Sequence, residues 1–285
     1  MSKALGLLRI LRPVNSLMTG LAVLIGEAIA YRTLYLVPSI LGILTAFTLT
    51  GASMVTNDYW DRTVDAINVP HRPIASGLIS VRLALSYAAI LTIIGLSSAL
   101  LTNGFCFFIA ALSLLISLFY NYVGKKLGLL GNVLVGACIA IPLIYGGFLH
   151  EAIVFDRGRI QVLLFFDLMV FLAITGREVN KGIADIEGDR VREVKTVAIR
   201  FGKKAAALVA ISFYLTAVTL SAIAWFVISI SWVYLPIVLV ADGGFVASSF
   251  ILIRDYTKEN VGKAKNMVLV SMLVGLFAFF VGVFI

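Results

Sequence analysis

The sequence predicts an all-α integral membrane protein, a bundle of nine transmembrane helices making one domain over residues 1–285. Three observations carry that expectation. The chain is 61% hydrophobic and only 13% charged, with a mean hydropathy of +1.04, which is the composition of a membrane protein. Its apolar residues gather into nine runs long enough to cross about 30 Å of hydrocarbon as helices. Connections such as Thr102-Asn103-Gly104 and Ile228 to Ser231 leave no room for a soluble domain.

The first span, 15–31, follows a short segment bearing Lys3, Arg9 and Arg12. No run of signal length ends there in a small-residue cleavage site, so this helix is expected to stay in the bundle. The second, 36–56, emerges into a polar segment that lasts to Arg82. The third and fourth, 82–102 and 104–123, are divided only by Asn103, and the fifth, 130–149, begins after Lys125 and Lys126. The sixth, 160–178, opens into a second polar segment reaching Lys204. The spans 204–227, 232–253 and 265–285 complete the set.

Of the 23 Lys and Arg residues, 20 fall on one side of these alternating spans and only Arg32, Arg157 and Arg159 on the other. By the positive-inside rule the N-terminus and both polar segments are expected in the cytoplasm of a multi-pass protein of the cell membrane. The net charge of +8 suits a membrane surface or an anionic ligand. No nucleic-acid partner is expected, and nothing in the sequence fixes the oligomeric state. Cys106 and Cys138 lie inside spans without paired spacing and read as packing residues. His71 and His150 sit in loops on opposite sides, which excludes a histidine metal site built from them.

Both polar segments carry clustered acids. The first reads Thr56-Asn57-Asp58-Tyr59-Trp60-Asp61-Arg62-Thr63-Val64-Asp65, followed by Val69-Pro70-His71-Arg72-Pro73. Its aspartates recur at i, i+3 and i+7, one face of a helix. Pro70 and Pro73 restrict the backbone around Arg72, and a fixed guanidinium fork is what bidentate phosphate contact needs. The second reads Arg177-Glu178-Val179-Asn180-Lys181-Gly182-Ile183-Ala184-Asp185-Ile186-Glu187-Gly188-Asp189, with Lys181, Asp185 and Asp189 at i, i+4 and i+8. Like charges so grouped repel, and a divalent cation relieves them.

Charge arithmetic points to a phosphate ligand. Five aspartates and a diphosphate ester together would carry about eight negative charges, each like pair at roughly 5 Å costing about 3 kcal/mol at an effective dielectric near 20. Mg²⁺ takes one or two carboxylates plus phosphate oxygens, which suits two separated acidic faces acting as ligands to two ions. Arg72, Lys125, Lys126 and Lys181 are available to neutralise the remainder. The competing expectation, solvated charges capping helix ends, explains one acidic triplet better than two interleaved with cations. A Lys pair after a span is also an ordinary topology determinant.

On these motifs the chain resembles the UbiA superfamily of intramembrane prenyltransferases, over essentially its full length. The carriers are the Asn-Asp-x-x-Asp-x-x-x-Asp pattern at Asn57, Asp58, Asp61 and Asp65 and the second acidic motif at Asp185 and Asp189. The resemblance implies that these acids are catalytic, binding Mg²⁺ as cofactor and a prenyl diphosphate. It implies that Arg72, Lys125, Lys126 and Lys181 touch the diphosphate or a second anionic group. A Tyr followed four or five residues later by Lys belongs to the pattern, and either Tyr120 or Tyr122 with either Lys125 or Lys126 satisfies it. Where relatives carry a further acid in the second motif this chain has Gly182 or Ala184, which leaves Lys181, Glu178 and Glu187 as the other charged groups there.

Within the superfamily, Leu8-Arg9-Ile10-Leu11-Arg12-Pro13-Val14-Asn15-Ser16-Leu17-Met18-Thr19-Gly20, followed by Leu21 to Gly26, and Asp185-Ile186-Glu187-Gly188-Asp189 look most like the archaeal digeranylgeranylglyceryl phosphate synthases. That resemblance implies transfer of a geranylgeranyl group from its diphosphate to the free hydroxyl of geranylgeranylglyceryl phosphate. The partners would be a prenyl diphosphate, a lipid-phosphate acceptor and membrane lipids, with Asn15 among the substrate-binding residues and Arg12, Lys125 or Lys181 as alternative holders of the acceptor phosphate. Tyr59, Trp60, Tyr120 and Tyr122 are at a level to shelter an allylic cation or to anchor the membrane interface. Glu27, Asp167 and Asp242 fall inside spans and read first as structural hydrogen-bonding groups.

Two other classes fit less well. An aromatic-acceptor prenyltransferase of quinone or haem synthesis shares the motifs. A divalent cation transporter would place its acids at mid-membrane on broken helices, not at helix ends.

Overall fold

The computed structural model describes residues 2–150, 157–191, 194–228 and 230–284. Its α-helices are α1 (Lys3–Ile10), α2 (Pro13–Tyr31), α3 (Leu36–Asn68), α4 (Val81–Thr102), α5 (Gly104–Tyr122), α6 (Leu129–Gly147), α7 (Arg157–Ala184), α8 (Ile186–Val191), α9 (Val197–Val227), α10 (Tyr234–Arg254) and α11 (Lys258–Phe284). A 3₁₀ turn, Gly124–Leu127, precedes α6. Among the described residues there is no strand, and nine helices, α2 to α7 and α9 to α11, are long and apolar enough to cross a membrane. The protein is a multi-pass all-α membrane protein.

Helix starts follow local chemistry. The hydroxyls of Ser2, Ser80 and Thr196 accept from the amides of Leu5, Leu83 and Ile199, satisfying donors that the first turns of α1, α4 and α9 leave open. Asn103 Oδ1 accepts from the Cys106 amide to start α5, while its Nδ2 donates to the carbonyls of Phe148 and Leu149. One residue thus turns the chain between two spans and ties down a third.

The helices outrun the apolar segments that announce them. α3 continues for 33 residues to Asn68, a dozen beyond the expected end, and α7 continues for 28 to Ala184. At the other end, α9 begins at Val197 and α11 at Lys258, each one or two turns early. Hydropathy marks where hydrocarbon ends, whereas the i to i−4 backbone ladder persists through any residues that tolerate it. The first acidic motif therefore stands on α3 itself, as its i, i+3, i+7 spacing predicts, and the polar connection begins only after Asn68.

The chain forms two compact units. The first takes its described residues from Met1–Glu27, Thr33–Tyr122 and Ile141–Asp156, the second from Ala28–Arg32, Val123–Ala140 and Arg157–Ile285. In the first unit, a Cβ at Gly26 would fall 2.0 Å from the Leu143 carbonyl oxygen, and one at Gly146 would fall 1.9 Å from that of Val23. α2 and the end of α6 accordingly meet backbone to backbone, the close approach that small residues permit between membrane helices. At the motif end of this unit, Ile10 and Leu11 pack with Val55 of α3 and with Ile74 and Ile79 of the 69–80 connection. The core of the second unit joins α7, α9, α10 and α11 around Tyr214, Phe245, Leu252 and Val268.

Buried polar groups in the spans are mostly satisfied locally. Glu27, fully buried, accepts from the Ser39 hydroxyl at 2.6 Å and the Tyr35 amide at 3.1 Å, with His150 Nε2 at 3.3 Å. Asp242 accepts from Ser221 at 2.6 Å. Both make the hydrogen bonds expected of structural groups. Asp167 differs, since among the described residues its buried Oδ1 has no hydrogen-bond partner. Cys106 and Cys138 are free thiols, and Cys106 donates to the Phe148 carbonyl.

Candidate active site

The last three turns of α3 set the first cluster. With acids at i, i+3 and i+7, Asp58 and Asp65 turn inward and are 3% and 2% exposed, while Asp61 is only half-buried. Two buried carboxylates need counter-charge, because desolvating an ion costs several kcal/mol. Arg72 provides it from the 69–80 connection, donating to Asp65 Oδ2 at 2.6 Å and to Asp58 Oδ1 at 3.2 Å. Its backbone is folded back by bonds from Ser76 N to Arg72 O and from Ile79 N to Pro73 O, with Gly77 in the left-handed conformation at φ 75°. Arg12, between α1 and α2, donates to the same Asp58 oxygen at 2.7 Å. The arginine that the sequence assigns to phosphate is thus held on carboxylates, and a second one joins it.

Polar groups one turn earlier brace this end of α3. Asn121 of α5, 5% exposed, donates to the Ser53 carbonyl and the Thr56 hydroxyl, and the hydroxyls of Ser53 and Ser117 bond to each other. On the outer side, Tyr59, Trp60 and Tyr122 form a chain of rings with centroids 5.1 and 4.9 Å apart. Arg62 covers the Tyr59 face at 4.5 Å. Trp60 and Tyr122 remain exposed, Tyr120 and Asn57 are half-buried, and Asn15 is exposed on the first turn of α2.

The second cluster, in the other unit, is built differently. α7 ends at Ala184, Asp185 occupies a bend, and Asp189 lies in the short helix α8. The i, i+4, i+8 row is therefore not carried on one unbroken helix, in line with the low helix propensity of Gly182, Gly188 and the bend aspartate. Bonds from Asp185 N to Lys181 O and from Asp189 N to Asp185 O keep the i to i−4 spacing across the bend. Asp185 is exposed and Asp189 half-buried. Lys181 Nζ is 3.3 Å from Glu178 Oε2, and Arg177 is 3.1 Å from the other Glu178 oxygen. Lys125 and Lys126 stand on the 3₁₀ turn, half-buried and exposed respectively.

Beneath that cluster is a pair the sequence reading missed. Asn180 of α7 and Tyr214 of α9 are fully buried side by side, with no ordinary hydrogen bond closed on either side chain among the described residues. Asn180 falls on the buried phase of Ala173, Gly176 and Ile183, a signal masked by the charged residues around it.

Among the described residues no group of three or more His, Cys, Asp or Glu is gathered closely enough to hold a metal alone. The donor chemistry of the first cluster still suits a hard divalent cation. Asp58 and Asp65 offer carboxylate oxygens from one helix face, and a small divalent cation takes only one or two such groups, completing its shell with phosphate and water.

Comparison with known proteins finds relatives of this fold and near-equal length. The UbiA prenyltransferase family model matches residues 17–282. A digeranylgeranylglyceryl phosphate synthase of Methanosphaera stadtmanae is 32% identical over 278 residues, covering 96% of this chain and 98% of that protein. One from Methanopyrus kandleri is 34% identical over 272 residues, covering 95% and 97%. A solved structure described as giving insight into digeranylgeranylglyceryl phosphate synthase in membranes superposes with a TM-score of 0.84 at 28% identity, covering 100% of this chain and 99% of that one. A UbiA homolog from Archaeoglobus fulgidus bound to GPP and Mg²⁺ shares the fold, with a TM-score of 0.72 at 18% identity, over 96% of this chain and 99% of the other.

Proposed function

This chain belongs to the UbiA prenyltransferase family, and from that premise we propose that it transfers a geranylgeranyl group from geranylgeranyl diphosphate to the free hydroxyl of geranylgeranylglyceryl phosphate. The product would carry the second ether bond of an archaeal membrane lipid. The observation that carries this choice of acceptor is the near-full-length identity, above 30%, to digeranylgeranylglyceryl phosphate synthases. The N-terminus and both acidic clusters face the cytoplasm in this proposal, supported by the distribution of Lys and Arg.

Asp58, Asp61 and Asp65, with Asn57, and Asp185 and Asp189 would hold Mg²⁺, with residues 1–285 acting as one catalytic domain. Bound Mg²⁺ supplies Lewis-acid stabilisation of charge on the departing diphosphate. Arg72, Lys181 and Lys125 or Lys126 orient the diphosphate oxygens and share that charge, a preorganised electrostatic contribution. The allylic C–O bond breaks with its electron pair leaving on the diphosphate. Tyr120 and Tyr122, with Trp60, screen the carbocation from water through their ring faces. The acceptor hydroxyl oxygen bonds to the allylic carbon, and its proton passes to an aspartate or a diphosphate oxygen, since so strong an electrophile needs only a weak base. Asn15 would receive the acceptor head group.

The test supplies membranes containing the protein with geranylgeranyl diphosphate and Mg²⁺, and either geranylgeranylglyceryl phosphate or 4-hydroxybenzoate. Transfer to the glyceryl phosphate, abolished by EDTA, is expected. Transfer only to the aromatic acid would replace the lipid assignment with an aromatic prenyltransferase; metal-dependent ion flux without transfer would replace it with a transporter.

A further inference from the structure

Arg12 occupies a backbone position that glycine would fill with less strain. It follows Leu11, the C-cap of α1, at the point where helices commonly close on a left-handed residue, usually Gly. Its φ of 49° lies in that region, where an L side chain crowds the neighbouring carbonyl. The turn is secured around it: Arg12 N donates to Arg9 O, Ser16 N to Arg12 O, and the Ser16 hydroxyl to Leu11 O. Pro13 then starts α2. A strained position so firmly held, occupied by a long cation, is explained by what the cation reaches, and it reaches Asp58.

Among the four groups joined by these ion pairs, charge is balanced. Two buried carboxylates, Asp58 and Asp65, meet two guanidinium groups. A divalent cation arriving alone must compete with those guanidiniums for the same oxygens, and any it displaces is left beside a dication. A diphosphate arriving with the cation offers the displaced guanidinium oxygen acceptors of matching geometry. The two arginines are unequal in this exchange. Arg72 spans both carboxylates, whereas Arg12 makes a single bond to one of them with its side chain 30% exposed.

We propose that Arg12 is an exchangeable counter-ion of Asp58, held on the carboxylate until a divalent cation and a diphosphate bind together, and then transferred to a phosphate oxygen. Arg12 is on this account a positioning residue that couples the two ligands. The inference rests on the prenyl-diphosphate reading of the site.

The test uses full-length protein in nanodiscs with two binding measurements independent of turnover. Mn²⁺ alone is titrated by electron paramagnetic resonance, and labelled inorganic diphosphate is titrated in excess Mg²⁺. Arg12→Gly relieves the backbone while removing the cation, so the relief offsets part of the lost ion pair and the variant is expected to stay folded, which thermal unfolding checks. It should bind Mn²⁺ alone about fivefold more tightly and diphosphate about tenfold more weakly, in the range of ordinary coupling between sites. The gain in Mn²⁺ affinity should vanish when Asp58→Asn is also present. A gain that survives Asp58→Asn, or no gain at all, overturns the exchange. Arg12→Lys, which keeps the charge, should leave Mn²⁺ affinity near the wild-type value; a gain as large as that of Arg12→Gly would also overturn it. Diphosphate that fails to bind wild-type protein in Mg²⁺ would overturn the prenyl-diphosphate reading together with this one, whereas binding that is present but indifferent to Arg12→Gly overturns the exchange alone.

Discussion

Asp58 and Asp65 are buried with arginines closed on them, while Asp185 stands exposed at a helix bend and Asp189 is half-buried. The two clusters present the same side-chain chemistry in opposite settings. In the first, helix α3, the folded-back 69–80 connection and the α1–α2 junction all meet at the carboxylates, so their placement is part of the fold. In the second, one broken helix carries the acids, and Lys181 leans on Glu178. An ion pair between buried groups is tied to stability, whereas exposed charges are held mainly by water and contribute little. The difference teaches that the two acidic motifs of one enzyme need not be equally preorganised.

The largest effects should come from the buried acids. Asp58→Ala leaves Arg12 without its carboxylate and Asp65→Ala leaves both guanidiniums on Asp58 alone, so both transfer and stability suffer. Transfer should fall more than about 10³-fold, the upper range for losing a charge-stabilising group. Stability should fall by about 2 kcal/mol, below the full value for a buried pair because both arginines are partly exposed. Prenyl transfer and thermal unfolding of the purified variants give the two quantities. Variants as stable as the wild type would break the contrast, since the first cluster would then owe nothing to its ion pairs.

Asp61→Ala separates catalysis from folding within the first cluster. Asp61 is only half-buried, so its removal should abolish transfer while costing less stability than the loss of Asp58 or Asp65. Retained turnover in a folded variant would remove the first cluster from the mechanism.

Asp185→Ala should cost less, about 10² in transfer, with most of the loss in KM for the diphosphate and no change in stability. Steady-state kinetics against geranylgeranyl diphosphate reads the split. A loss in kcat equal to that of Asp61→Ala would make the two clusters equivalent in function despite their different settings.

How much of this was legible beforehand follows from the range of each interaction. The nine spans were legible because hydropathy is summed over some twenty residues, and the short link at Asn103 was visible as a polar break. The ends of α3 and α7 were not, because polar turns beyond the hydrocarbon keep the helical ladder without an apolar mark. The three aspartates were legible as one face of a helix. Their pairing with Arg12 was not, since it joins residues 46 apart and depends on a left-handed turn at an arginine that no local signal requires. Arg72 was singled out as a fixed fork for phosphate, whereas the carboxylates it holds came from the fold-back of the 69–80 connection. Asn121 and Asn180 were hidden for a shared reason, since each lies within a motif already read for another purpose, while Tyr214 lies inside an apolar span.

The smallest effect, and the one that most sharpens the contrast, is expected from restoring an acid to the second motif. A Cβ at Gly182 would meet only Thr196 atoms at 3.7 Å, an ordinary contact, so Gly182→Asp can be accommodated without moving the backbone. Replacing a helical glycine also removes part of its entropic cost, so the last turn of α7 should be no less ordered. The new carboxylate adds negative charge one turn before Asp185, near the surface and well solvated, where such a charge is worth about 0.5 kcal/mol. The Mg²⁺ concentration for half-maximal transfer should therefore fall about twofold, with kcat unchanged. Were the variant to need less Mg²⁺ by more than tenfold, Gly182 would be the reason the second cluster is the weaker one. Were it to need the same amount, the weakness would lie in the bend at Asp185, which a single added charge does not straighten.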